Sequence, residues 1–186
     1  MNSEQVLQIQ ALIEADPVRM SILSLVQSLG LPDCWVGAGF LRSAVWDHLH
    51  QRAYSPLPSD IDVIWFDPGR ATVQSDTELE ACLRNMDASY NWSVKNQARM
   101  HLRNSDTPYA SAIDAIRFWP ETATAIAIRL DSQGALEVAA PLGLEDLLQL
   151  VVRPTARFQI DKREIYLEHM QGKDWLRTWP NLKFTE

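Results

Sequence analysis

Asp60 and Asp62 flank Ile61 and lead into the apolar run Val63-Ile64-Trp65-Phe66. Side chains alternate along a strand, so the two carboxylates share one face while Ile61 and Val63 point to the other. Two acids a few ångströms apart repel and raise each other's pKa unless a cation lies between them. Mg²⁺ suits such a pair, because it takes one or two carboxylates and completes its shell with substrate phosphates and water. Taken alone, Asp-x-Asp also describes the solvated end of an ordinary strand.

Upstream, Gly37-Ala38-Gly39 follows the apolar Cys34-Trp35-Val36 and opens a helical pattern. A glycine-containing strand-to-helix turn lets backbone approach a phosphate with its N–H groups aimed outward. Arg42 falls one turn into that helix, where its planar fork can reach the same anion. Ser59 closes a loop rich in Pro and Ser, residues 53–59, aimed at Asp60. Each piece has an ordinary packing explanation, but a metal clamp beside a phosphate cradle points to chemistry on a nucleoside triphosphate.

These groups need elements to hold them. Apolar residues recur at helical spacing over 4–15 and 17–29, with Asp16-Pro17 as a helix start and Gly30 as a stop. A short strand at 34–36 and a helix over 40–51 carry the glycine turn between them. The acids begin a strand over 60–66 that Asp67-Pro68-Gly69 ends. A helix is expected over 77–86, a polar strand over 92–101, a short helix over 111–118, and a hairpin of 124–130 with 136–139. Another helix begins near Leu142, and a last one runs over about 160–170 towards Trp175 and Trp179, which are expected to staple the tail to the body. The order predicts a mixed α/β (α+β) fold with a central mixed sheet, flanking helices and a helical N-terminal layer. One domain over 1–186 is expected, with a helical annex over about 142–186.

Alternation in the 92–101 strand puts Lys95, Gln97 and Arg99 on one face and Asn96 on the other. The functional reading makes this a cleft wall in which Lys95 and Arg99 meet phosphates and Asn96 bonds ligand or backbone. The plain alternative is a solvated sheet face. His101, at the strand's end, reads as structural.

The chain has 186 residues, 46% apolar and 22% charged, which excludes a largely disordered protein. Its net charge of −7 gives no global attraction to nucleic acid or anionic lipid, and favours a small-molecule or protein acceptor over nucleic acid. Cys34 and Cys82 fit no metal-ligand spacing and read as small buried hydrophobes. No apolar run reaches about 18 residues and no leader pattern is seen, so a cytoplasmic protein without membrane contact is expected.

The order of a strand with Val36-Gly37-Ala38-Gly39, a helix, and Asp60-Ile61-Asp62 on the next strand resembles the nucleotidyltransferase fold of the DNA polymerase β superfamily. The chain is similar, more narrowly, to a small bacterial nucleotidyltransferase-like family. That match runs through Gly37 to Asp47, Ser59 to Val63, Trp92 to His101, Trp119 to Thr124 and Ala140 to Leu147. The resemblance implies that Asp60 and Asp62 hold Mg²⁺ (or Mn²⁺) on an NTP and serve as the catalytic acids. It also implies that Gly37, Ala38, Gly39 and Arg42 hold phosphate. The superfamily usually adds a third carboxylate on an adjacent strand to activate the attacking hydroxyl. Here the 92–101 strand carries Lys95 and Asn96 instead. Glu121 or Glu137 could fill that place if the hairpin packs beside the sheet; Asp67, at the far end of the acids' own strand, is too distant.

Two functions follow as expectations. One is metal-dependent transfer of a nucleoside monophosphate from an NTP to an acceptor, with release of pyrophosphate. The other is a degenerate relative that binds nucleotide or a protein partner without turnover. A haloacid-dehalogenase-like phosphatase is disfavoured, since its acids follow an apolar strand and here they precede it.

Overall fold

A computed structural model describes residues 2–185. The N-terminal layer is α1 (Ser3–Glu14) and α2 (Pro17–Ser28). The Asp16 carboxylate caps α2 by accepting from the N–H groups of Val18 and Arg19, ahead of proline at the first helical position. Then follow β1 (Trp35–Gly37), α3 (Gly39–Leu49) and β2 (Ile61–Trp65). Next come α4 (Val73–Met86), β3 (Trp92–Asn96), α5 (Gln97–Asn104) and α6 (Ala112–Ile116). β4 (Ala127–Leu130) and β5 (Leu136–Ala139) form the expected hairpin.

The sheet runs β3-β2-β1-β4-β5. β2 and β3 are parallel; the other neighbours are antiparallel. Period-two alternation gives it two apolar faces. Val36, Ile61, Val63, Trp65 and Ile128 pack in the main core with Ile9, Ile13, Ile22, Leu23, Phe40 and Leu83 of the helices. Trp35, Ile64 and Ala127 face the other way, onto Ala112 and Ile116 of α6. Asp62 lies between Ile61 and Val63, so it opens on the second face.

Two regions differ from the sequence expectation. The strand read over 92–101 ends at Asn96, whose side chain accepts from the N–H of Ala98 and so caps α5. A polar alternating stretch and an amphipathic helix behind an Asn cap read alike over so few residues. The C-terminal part, expected as a helical annex, holds α7 (Glu145–Leu148), α8 (Ala156–Gln159), α9 (Arg163–Gln171) and α10 (Trp175–Thr178). It also contains a two-stranded parallel pair, β6 (Val151–Val152) with β7 (Lys183–Phe184). Val152, Trp175, Trp179 and Leu182 belong to the main core. No helix among the described residues is long and apolar enough to cross a membrane.

Candidate active site

The acids are positioned by a buried scaffold. Arg19 of α2 is almost fully buried and reaches across to the loop before Asp60. Its guanidinium donates to the Phe40 carbonyl at 3.3 Å, to the Ser55 hydroxyl at 3.1 Å and to the Ser55 and Pro56 carbonyls at 3.3 Å each. Asp16 pairs with it. Asp47 of α3, also buried, accepts from the Ser55 hydroxyl at 2.8 Å, lies 3.0 Å from Arg52 Nε, and accepts from the Trp179 indole at 2.8 Å. Loop, helix and C-terminal segment are thereby locked into one wall.

Between them lies a cleft of about 450 Å³ lined by Ala38, Gly39, Arg42, Ser59, Asp60 and Asp62. A second lobe, about 520 Å³, opens on the β3 side of Asp62 and shares Ala38, Arg42, Asp62, Lys173 and Trp175 with the first. The glycine turn and the paired acids therefore face a common space. The Ser59 hydroxyl donates to Asp60 Oδ1 at 3.0 Å. Register sets Ser93 of β3 opposite Asp62. Burial pushes the Asp62 carboxyl up to about 6, and the Asp60 charge pushes the same way, while Ser93, Lys95 and Lys173 pull it down.

The three residues of the turn do different work. A Cβ at Gly37 would come 2.7 Å from Trp119 Cη2, so this glycine is required by packing against that indole. Ala38 adopts φ +49°, ψ −121°, and its N–H donates to the Ile126 carbonyl of the sheet side. At Gly39 a Cβ would meet Pro58 at 3.2 Å and Arg42 Nη2 at 3.4 Å. No side chain caps α3, which leaves its first-turn N–H groups for an anion.

Arg42 sits in a tryptophan cage. Its guanidinium lies 5.1 Å from the Trp46 ring centre, 4.7 Å from Trp175 and 5.6 Å from Trp179. Burial lowers its pKa to about 10, with Glu121, Asp62 and Asp47 acting in opposition, and its Nε has no hydrogen-bond partner. Its Nη2 donates to the Ser43 hydroxyl at 3.2 Å, and the aromatic faces leave its remaining donors for whatever enters the cleft.

Among the described residues, no group of three or more His, Cys, Asp or Glu side chains gathers to hold a metal. Two carboxylates, mutually repelling and partly desolvated, fit a hard divalent cation that draws its remaining ligands from phosphate and water.

The chain matches the family model described as Nucleotidyltransferase over residues 24–184. It belongs to that family. One solved structure, described as an NMR structure that reveals a CCA-adding enzyme head domain, is 37% identical with a TM-score of 0.84. The match covers 96% of this chain and 94% of that one. Two larger structures share the fold. A CCA-adding enzyme with CTP is 13% identical, with a TM-score of 0.52 over 100% of this chain and 41% of that one. The Thermotoga maritima CCA-adding enzyme complexed with tRNA is 13% identical, with a TM-score of 0.51 over 100% and 40%. The chain spans about two-fifths of the length of those two. A comparison with curated proteins finds no significant match.

Other residues read from the sequence fall elsewhere. Lys95 lines the second lobe, yet its ammonium donates to Glu80 of α4 at 2.7 Å and to the Val94 carbonyl. Asn96 is fully buried: its amide donates to the Asp67 and Arg70 carbonyls and its oxygen accepts from Asp67 and Ala98 N–H groups. Arg99, turned away by the start of α5, pairs with Asp76, which also accepts from the Trp65 indole at 2.9 Å. Neither Asn96 nor Arg99 lines the cleft: Asn96 bonds backbone, one of the two roles expected of it, and Arg99 is engaged by Asp76. Glu137 pairs with Arg129 on β4 and opens into a separate cavity beside α2. β5 stands three strands from β2, roughly 14 Å by strand spacing. Glu121, by contrast, lines the second lobe. Sequence reading passed over Lys173, whose charge reaches Asp62, and His169. Both lie beyond the motifs, and only the closing of the C-terminal segment brings them in.

Proposed function

We propose that this chain transfers a nucleoside monophosphate from an NTP to an acceptor hydroxyl, with release of pyrophosphate. The observation that carries the reading is the shared cleft: Asp60 and Asp62, the uncapped turn of α3 and the caged Arg42 line one space. Asp60 and Asp62 would hold Mg²⁺ (or Mn²⁺). When bound, such an ion neutralises phosphate charge and stabilises the departing pyrophosphate. The first-turn N–H groups at Gly39 and the Arg42 fork hold the triphosphate. Lys173, which forms no ion pair among the described residues and whose ammonium lies 5.7 Å from the Trp175 ring centre, adds a cation at the same place. Phosphoryl-type transfer asks a protein chiefly for positioning and electrostatics, which these few groups supply.

The net charge of −7 favours a small-molecule or protein acceptor. The T. maritima enzyme complexed with tRNA makes RNA a second class to include in the trial. Titration with Mg·NTP provides the test: Asp60→Asn or Asp62→Asn should abolish metal-dependent nucleotide affinity while circular dichroism shows an intact fold. Unchanged affinity in both variants refutes the metal role. Binding without turnover is the second reading, favoured by Ser93 rather than an acid opposite Asp62. Labelled NTPs incubated with cell lysate separate the two, because only transfer yields a labelled acceptor and pyrophosphate.

A further inference from the structure

β3 supplies no acid to activate an acceptor, but the second lobe contains another acid–base pair. Glu121, just before the 3₁₀ turn Thr122–Thr124, is 2% exposed. Its Oε2 accepts from the Thr124 hydroxyl at 2.7 Å. Its Oε1 lies 3.2 Å from Nε2 of His169 on α9, off the hydrogen-bond line, and accepts no hydrogen bond among the described residues. The His169 side chain is 34% exposed and shares the lobe with Asp62 and Lys173. So the carboxylate is walled in and the imidazole is open. Glu121 cannot itself meet an acceptor hydroxyl, whereas a ring behind which a buried carboxylate stands can.

We propose that His169, oriented by Glu121, is the general base that takes the proton from the acceptor hydroxyl, in place of a third carboxylate. A carboxylate oxygen 3.2 Å from Nε2 favours the tautomer with its proton on that nitrogen, a small turn of the ring aligning the two, and that tautomer leaves the lone pair on Nδ1. The acceptor's proton passes to Nδ1 as its oxygen bonds the α-phosphorus. The bond from that phosphorus to the bridging oxygen breaks, and its electron pair leaves with pyrophosphate. Glu121 is a positioning residue. This rests on the transfer reading above.

The test uses the full chain with Mg²⁺, each of the four NTPs, and glycerol as a hydroxyl acceptor. Pyrophosphate release gives kcat, and quenching of tryptophan fluorescence gives NTP affinity. His169→Ala should lose about 10²- to 10⁴-fold in kcat with NTP affinity held, and added imidazole should restore part of the loss. Glu121→Gln should lose about tenfold or more, yet cost nothing further in the His169→Ala background, as expected of groups acting as one unit. A His169→Ala protein that keeps its kcat within about threefold, or loses it beyond rescue by imidazole, overturns the assignment alone. Wild-type protein that binds NTPs but releases no pyrophosphate with glycerol or with cell lysate as the source of acceptor overturns the transfer reading and this step together.

Discussion

Asp62 is held near 6 by burial beside Asp60, so without a cation its ionisation opposes folding. The sign follows from linkage. An acid whose folded pKa exceeds its unfolded value of about 3.9 makes the fold less stable as pH rises from about 4 to about 6. Metal-free Asp62→Asn should therefore be more stable than wild type at pH 7, by about 1–3 kcal/mol, with the gap closing below pH 4. Thermal melts in chelator across that range check this, and a gap that persists in acid would count against the assignment. At Arg42 the prediction runs the other way. Lysine keeps the charge but loses the planar stack on three indoles, so Arg42→Lys should weaken Mg·NTP binding about tenfold and also lower Tm. Isothermal titration and melting of the same preparation decide it.

At the level of elements, the glycine turn is where geometry and sequence part. Ala38 occupies a positive φ that costs a side-chain-bearing residue about 1 kcal/mol or more. Ala38→Gly should raise Tm by a few degrees, measured by calorimetry; a fall would mean that the Ala38 methyl packs usefully. Gly37 cannot be exchanged in the same way, because Trp119 fills its Cβ position. Arg19 has a different weight. Truncating it to Ala leaves Asp16 without its partner and the loop carbonyls without donors, so a loss of about 3 kcal/mol is expected in urea melts. The strand–turn–helix and Asp-x-Asp strand were legible because alternation, a glycine turn and a helix pattern are local signals. Arg99 was not legible as a structural residue, and at Asn96 the sequence left ligand and backbone bonding open. Their role depends on Asp67 and Asp76, which meet them only after β2, α4 and β3 have assembled. Glu121 was legible as a candidate acid but not distinguishable from Glu137, since only sheet order decides which side of β1 the hairpin takes.

Over the whole molecule, the cleft has two parents. The sheet and α3 bring the acids, the turn and Arg42, while residues 169–179 bring His169, Lys173, Trp175 and Trp179. The tryptophan spacing indicated a stapled tail, and Trp175 and Trp179 do pack edge-on against Trp46 at 5.4 and 5.1 Å between ring centres. Nothing in that spacing marks the staple as the far wall of the site, because the contact with Arg42 spans most of the chain's length. Trp179→Ala should cost about 3–5 kcal/mol and weaken nucleotide affinity together, for it removes packing on Trp46 and the indole bond to Asp47. Stability lost without any change in affinity would separate the staple from the cleft.

Because Arg42 gains two of its three cage rings only when Trp175 and Trp179 arrive, a nascent chain carries its acids and glycine turn with one wall missing until those residues have been made. On the transfer reading, nucleotide binding then waits on the docking of this aromatic pair, and a polypeptide cut short at Gly172 would carry the acids and the turn but only the Trp46 side of the cage.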